Sequence, residues 1–226
     1  MKLYLDTGNL EEIEKIAKLG ILDGVTTNPT LVSLENVDFK KRIKSILKIL
    51  SKNCDDDFTV SAEVTSSKAE EMIKEGKDLS KIDSHILVKI PLTSEGLIAI
   101  KQLSKLGIRT NVTLCFNANQ ALLAAKAGAY IISPFIGRLE DIGQDGIKLV
   151  SEIRQIYDLY GFKTKILSAS IRTLKQVKDV SLIGSDIATI PYRVFTKLWE
   201  DHLTTVGLKK FESDWKKYLE NIKKND

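Results

Sequence analysis

What most constrains this chain is a repeated order of element types. A short β-branched or apolar run, a polar turn and a helical period follow one another eight times in 226 residues. The runs stand at 3–5, 25–27, 58–64, 86–90, 109–116, 130–133, 165–168 and 186–190. Helical stripes lie between them: Ile13, Ile16 and Ala17, then Phe39, Ile43, Ile46, Leu47 and Leu50, then Ala69, Met72 and Ile73. Leu97, Ile100 and Leu103 continue the series, followed by the alanine-rich 118–127 and by Ile147, Val150, Ile153 and Ile156. Two further helices, about 191–200 and 208–223, close the chain. Strict alternation of strand and helix implies a parallel sheet. Eight such units suit a closed (β/α)8 barrel. The alternative is a doubly wound open sheet, but no GxGxxG follows the first run and no GK[ST] occurs. No linker-like stretch divides the sequence. We expect one α/β domain over 1–226, a (β/α)8 TIM barrel with an additional C-terminal helix at about 208–223.

Composition narrows the function classes. Gly and Pro, 13 and 4 residues, are too few for a fibrous or low-complexity chain. The net charge of +4 is spread along the chain, and the basic runs at 40–42 and 216–224 sit at helical spacing among acidic and apolar residues. These read as solvated helix faces, so no nucleic-acid partner is expected. No apolar run is long enough for a membrane span, and Asp6 interrupts any apolar start. Cys54 and Cys115 form no CxxC, which fits a reducing compartment, and a cytoplasmic protein is expected. His85 and His202 have no metal-ligand spacing with either cysteine.

A parallel barrel builds its site at the C-terminal ends of its strands. The polar residues falling there are Asp6, Thr26, Asn28, Glu63, Lys89, Asn111, Thr113, Ser133, Ser170 and Arg172, with Arg138 in the loop after the sixth run. Lys89 is the most informative. It lies in Ile86-Leu87-Val88-Lys89-Ile90-Pro91, on the same strand face as Leu87. Parallel strands are covered on both faces, so this lysine is desolvated whether it points into the barrel or outward. Desolvation favours the neutral amine, the form that attacks a carbonyl to make a Schiff base. Snorkelling to the rim, or pairing with Glu63 or Asp6, explains it equally well. Asp6 and Glu63 could serve as a separated acid/base pair or could merely neutralise Lys89. Arg138, Ser170 and Arg172 look like anion ligands. Taken singly, each arginine is also explained by a surface salt bridge, for example Arg138 with Glu140 or Asp141.

Several segments together resemble the signature segments of the transaldolase family. They are Gly24-Val25-Thr26-Thr27-Asn28-Pro29-Thr30, Val60-Ser61-Ala62-Glu63-Val64, Val88-Lys89-Ile90-Pro91, Ser133-Pro134-Phe135-Ile136-Gly137-Arg138 and Ala169-Ser170-Ile171-Arg172. The likeness is to the compact form shared with fructose-6-phosphate aldolase. It runs in order from Leu3 to about Trp215.

The resemblance implies roles. Lys89 matches the Schiff-base lysine, and Asp6 the acid/base that takes the proton of the donor's C4 hydroxyl. Glu63 and Thr113 match the residues that hold and activate the catalytic water. Asn28 and Asn111 match the groups that bond the dihydroxyacetone moiety, with Thr26 and Ser133 lining the same site. Arg138, Ser170 and Arg172 match the sugar-phosphate site. No metal or cofactor is implied. Transaldolases of the family carry glutamate and phenylalanine where the aldolases carry glutamine and tyrosine, and this chain has Glu63 and Phe135. A phenol at the second position could help protonate the bound enamine, so Phe135 favours transfer over release.

The expected activity is transaldolase: reversible transfer of dihydroxyacetone from sedoheptulose 7-phosphate to glyceraldehyde 3-phosphate in the pentose phosphate pathway. A fructose-6-phosphate aldolase releasing dihydroxyacetone is the alternative, and a non-catalytic sugar-phosphate-binding barrel a third. Compact members usually form ring pentamers or decamers, and a homo-oligomer is expected, with Phe211 and Trp215 as anchors on a neighbour or on their own barrel. The chain departs from the family pattern at Gly8, Cys115, Asn117 and 201–205.

Overall fold

The computed structural model describes residues 1–28 and 38–225, with side chains to residue 222. Eight parallel strands close into a barrel in chain order. They are β1 (Lys2–Asp6), β2 (Gly24–Thr26), β3 (Thr59–Glu63), β4 (Ile86–Pro91), β5 (Thr110–Cys115), β6 (Ile131–Pro134), β7 (Lys165–Ser168) and β8 (Ile187–Ile190). The β8 strand pairs back onto β1 through Lys2 opposite Ile187 and Leu5 opposite Ile190. Closure leaves no sheet edge to protect.

The helices described are α1 (Leu10–Ala17), α2 (Phe39–Asn53), α3 (Ala69–Ser80), α4 (Ser94–Lys105), α5 (Ala118–Ala127), α6 (Ile136–Glu140), α7 (Gly146–Tyr160), α8 (Leu174–Ile183), α9 (Tyr192–Phe195) and α10 (His202–Asn225). Local chemistry sets their ends. Asn9, Thr93, Asn117, Asp145 and Thr173 accept backbone N–H bonds at N-termini. Gly128, Gly161 and Gly184 adopt left-handed conformations at C-termini. Asn117, one of the departures from the family pattern, thus has a capping role.

Strand alternation divides the interior in two. Leu5, Val25, Val60, Val88, Ile90, Val112, Ile132, Ile166 and Ala188 face outward into the main core, under the helices. The intervening Tyr4, Leu87, Ile131, Leu167 and Ile187 face inward and form a separate apolar layer across the barrel. Lys89, two residues beyond Leu87, shares its inward face.

Three sequence expectations differ from the structure. The 134–145 stretch, expected as a loop, contains α6, a short helix with no side-chain cap to announce it. Helix α3 begins at Ala69, after a turn in which Ser66 and the backbone N–H of Thr65 are bound to Glu75. The helix expected at 191–200 is only Tyr192–Phe195. The last helix starts at His202, where Asp201 accepts the Leu203 N–H at 2.7 Å, some residues before the expected 208. Pro29 and Thr30 of the 24–30 segment lie outside the described residues.

Candidate active site

The C-terminal strand ends converge on one mouth. An inner cavity of about 130 Å3 is lined by Asp6, Thr26, Asn28, Lys89, Asn111, Ser133, Phe135, Arg138, Ser170 and Thr189. It opens into an outer cavity of about 680 Å3, which Glu63 and Thr113 line with Lys89, Phe135 and Arg138. Of the residues picked out in the sequence, only Arg172 lines neither.

Lys89 is 7% exposed. Its Nζ lies 2.9 Å from Glu63 Oε2 and donates to the Thr27 carbonyl at 3.2 Å. Glu63 is the register partner of Lys89 on the adjacent strand. The amine therefore points into the barrel, and its proton already has a carboxylate acceptor in place. Of the two strand faces open to it in the sequence, Lys89 takes the inward one, and the pairing with Glu63 is present there.

Asp6 stands at the end of β1 beside Thr26, which donates to its Oδ1 at 2.8 Å. The Thr26 hydroxyl lies 2.5 Å from that of Thr189. A hydroxyl that donates to a carboxylate must accept from its other neighbour, so the chain runs Thr189 to Thr26 to Asp6. Burial raises the Asp6 carboxyl above its ordinary range, against the opposing pull of the Lys89 charge and the Thr26 bond. Asp6 is thus biased toward holding a proton and Glu63 lies against the amine, so the two carboxyls have different surroundings.

On the far side of the mouth Asn111 is fully buried and fixed at both ends. Its Nδ2 donates to Ser61 at 3.0 Å, and its Oδ1 accepts from Ser133 at 2.6 Å. The amide orientation follows from these partners. Next to it the β5–β6 register shifts between Val112 and Cys115, and Leu114 takes φ +61°. A left-handed leucine is a strained conformation. It turns both Thr113 and Leu114 to the outer cavity.

Phe135 lies edge-on to Phe116, ring centroids 5.7 Å apart, and the Arg138 guanidinium carbon sits 5.1 Å from the Phe135 ring centre. Ser170 also adopts a left-handed backbone, φ +59°, and its carbonyl accepts the Gly137 N–H at 3.0 Å. A Cβ on Gly137 would lie 2.4 Å from the Ser170 carbonyl oxygen and 2.6 Å from Arg172 Nε. Glycine is required there, and it brings Arg138 and Ser170 to the same side of the mouth. Arg172 is turned to Asp141 in a two-pronged ion pair, with Nη2 to Oδ2 at 2.6 Å. The surface salt bridge that the sequence allows for each arginine is thus present for Arg172, with Asp141 31 residues away, whereas among the described residues no ion pair of Arg138 with Glu140 or Asp141 lies within 4 Å.

Thr189, Thr27 and Ser61 were missed in the sequence. Thr189 could have been found by applying the strand-end test to β8, where it is the one polar residue in Ile187-Ala188-Thr189-Ile190. Thr27 acts through its carbonyl and Ser61 through a partner 50 residues away, and neither leaves a local signal.

The sequence model of the "Transaldolase/Fructose-6-phosphate aldolase" family matches residues 3–222. A probable transaldolase of Lactiplantibacillus plantarum is 56% identical over 218 residues, 96% of this chain and 98% of that protein. Probable transaldolases of Leptospira biflexa and Methanococcus vannielii are 52% and 51% identical, covering 96% and 97% of this chain and 99% of each relative. A solved thiamine phosphate pyrophosphorylase from Pyrococcus furiosus superposes with a TM-score of 0.56 at 14% identity, over 84% of this chain and 85% of that one. That likeness concerns the fold alone.

Proposed function

The chain belongs to the transaldolase/fructose-6-phosphate aldolase family, and from that premise we propose that it transfers a dihydroxyacetone unit between sugar phosphates through a Schiff base on Lys89. The donor is sedoheptulose 7-phosphate and the acceptor glyceraldehyde 3-phosphate, in the pentose phosphate pathway of the cytoplasm. The observation that carries this reading is the Lys89 amine inside the barrel, 2.9 Å from a carboxylate that can take its proton.

Glu63 accepts a proton from Lys89, and the neutral amine attacks the ketose carbonyl. The carbinolamine hydroxyl leaves as water, protonated by Glu63 and steadied by Thr113. Asp6 then takes the proton of the C4 hydroxyl. The C3–C4 bond breaks, its electron pair moves into the protonated imine, and an enamine remains on Lys89. Asn111 and Asn28 hold the hydroxyls of this three-carbon fragment, with Ser133 and Thr26 beside them. Phe135 offers no acidic hydrogen to protonate the enamine, so it waits for an aldehyde. The acceptor's phosphate is bound by Arg138, Ser170 and Arg172. Bond formation and hydrolysis reverse the sequence, with Asp6 returning its proton to the new hydroxyl.

The active assembly is a homo-oligomer built through α10. Phe211 is 71% exposed and Trp215 60%, one turn apart on a helix whose described side chains are exposed almost throughout. Such an apolar stripe suits a partner surface. Phe211→Glu with Trp215→Glu reduces the particle to a smaller species in light scattering; an unchanged mass contradicts the assignment.

The test of function is trapping. Incubation with fructose 6-phosphate and borohydride should leave a three-carbon adduct on Lys89, absent in Lys89→Met. Products are then compared with and without acceptor aldehyde. Free dihydroxyacetone at comparable rates in both would make the protein an aldolase instead.

A further inference from the structure

The end of the barrel opposite the mouth carries a second polar cavity, of about 490 Å3. It is formed where the strands begin, and the inward apolar layer of Tyr4, Leu87, Ile131, Leu167 and Ile187 lies between it and the mouth. Among its residues Lys2 is paired with Asp57, and His85 lies on Asp83 at 2.6 Å and on the Asp56 carbonyl at 2.9 Å. Two cations differ. Arg109 donates to the Ser84 carbonyl at 2.6 Å and sits 5.4 Å from the centre of the Tyr130 ring. Lys165 donates to the Tyr130 hydroxyl at 3.1 Å and lies 5.1 Å from the same ring centre.

Among the described residues neither Arg109 nor Lys165 has a carboxylate within ion-pair distance. Lys2, by contrast, is paired with Asp57. Burial pushes the Tyr130 phenol up, yet Lys165 and Arg109 together pull it below its ordinary value. Lys2, Arg109 and Lys165 face two carboxylates in this cavity, Asp56 and Asp57, and Asp57 is already engaged by Lys2. The Tyr130 oxygen accepts from Lys165, which leaves its hydrogen available to a ligand. A guanidinium, an ammonium and a phenol thus converge from the starts of β5, β7 and β6. Three donors in a half-buried polar cavity suit a tetrahedral dianion.

The geometry points to a second anion site at the base of the barrel, in which Arg109, Lys165 and Tyr130 bind a phosphate monoester or free phosphate. It is independent of the Lys89 chemistry and stands or falls apart from it.

Calorimetry on the full chain, with inorganic phosphate and separately with glycerol 3-phosphate, tests the site. Two classes of binding are expected. Lys165→Met, and Arg109→Gln with Lys165→Met, should weaken one class about ten-fold or more, the loss expected of a charge-assisted bond, while sugar-phosphate turnover persists. Arg138→Ala with Arg172→Ala should weaken the other class only. Tighter binding of glycerol 3-phosphate than of phosphate at the base identifies an organic monoester as occupant, and the reverse identifies free phosphate. If the double variant does not fold, Lys165→Met and Tyr130→Phe decide, read by absorbance of the phenol near 295 nm. Bound phosphate should raise the pH of phenol ionisation in the wild type and leave Tyr130→Phe unmoved. A single class of sites abolished by Arg138→Ala with Arg172→Ala, or binding unaffected by Lys165→Met, overturns the proposal.

Discussion

Glu63 and Lys89 stand opposite each other on adjacent parallel strands, and their charged ends meet at 2.9 Å within the barrel mouth. The pair couples stability to chemistry. Each charge compensates the other's burial, and the same contact is the route by which the amine gives up its proton.

Glu63→Ala should therefore reduce both. Removing one partner of a buried pair leaves the other uncompensated, which costs about 3–5 kcal/mol when burial is complete and less at a mouth open to solvent. Loss of a positioned proton acceptor lowers turnover by roughly 10²–10⁴. Denaturant midpoints and borohydride-trapping rates measure the two effects. A variant that traps substrate at the wild-type rate would remove Glu63 from the imine step.

Asp6 gives the opposite sign for stability. Its carboxyl is raised by burial above an ordinary value of 3.8. A carboxyl raised in the folded state holds its proton more tightly there than in the unfolded chain. Stability is then greatest below the unfolded value and is lost as pH rises through the folded one. Asp6→Asn escapes that loss. It should melt a few degrees above wild type at pH 7, since about 1 kcal/mol shifts Tm roughly 2–4 °C in a chain of this size. The gap should close as pH falls toward 4. Turnover should drop by at least about 10², while Lys89 still forms an adduct with intact ketose. An Asn variant less stable than wild type at pH 7 would contradict the assignment.

Thr189 acts on Asp6 through Thr26. Thr189→Val removes the donor at the head of this chain and weakens Thr26 as a donor to the carboxylate. The Asp6 carboxyl should rise further, moving the acid limb of the kcat/KM profile to higher pH. Thr189→Ser should restore it. A profile unchanged in the valine variant would reduce Thr189 to packing.

Asp141 holds Arg172 in a two-pronged ion pair, away from the two cavities of the mouth. A phosphate bound by Arg172 must compete with that carboxylate. Asp141→Asn should lower KM for glyceraldehyde 3-phosphate several-fold and leave unphosphorylated glyceraldehyde unaffected. Arg172→Ala should raise KM for the phosphorylated acceptor alone. Equal effects on both acceptors in either variant would exclude Arg172 as a phosphate ligand.

The order of elements was legible because local patterns carry it. The alternation of periods two and 3.6 marks strands and helices, and α5 runs over the very residues its alanine-rich stretch suggested. The strand-end test located most of the mouth, since in a parallel barrel chain position and height coincide. It failed where the signal was non-local. Ser61 matters only through Asn111, Thr27 only through its carbonyl, and Asp141 only because α6 brings it to Arg172. Helix α6 itself is five residues long, too short for a periodic stripe.

Residue order alone determined an alternating parallel barrel with Asp6, Glu63 and Lys89 near the top of three strands. It could not say which way Lys89 faced, because both sides of a parallel strand are buried and a lysine is anomalous on either. Closure of β8 onto β1 and the stagger between neighbouring strands decided that. They set Leu87 in the inner layer and so turned Lys89 inward to Glu63, a partnership between distant residues that only the register of the closed sheet creates.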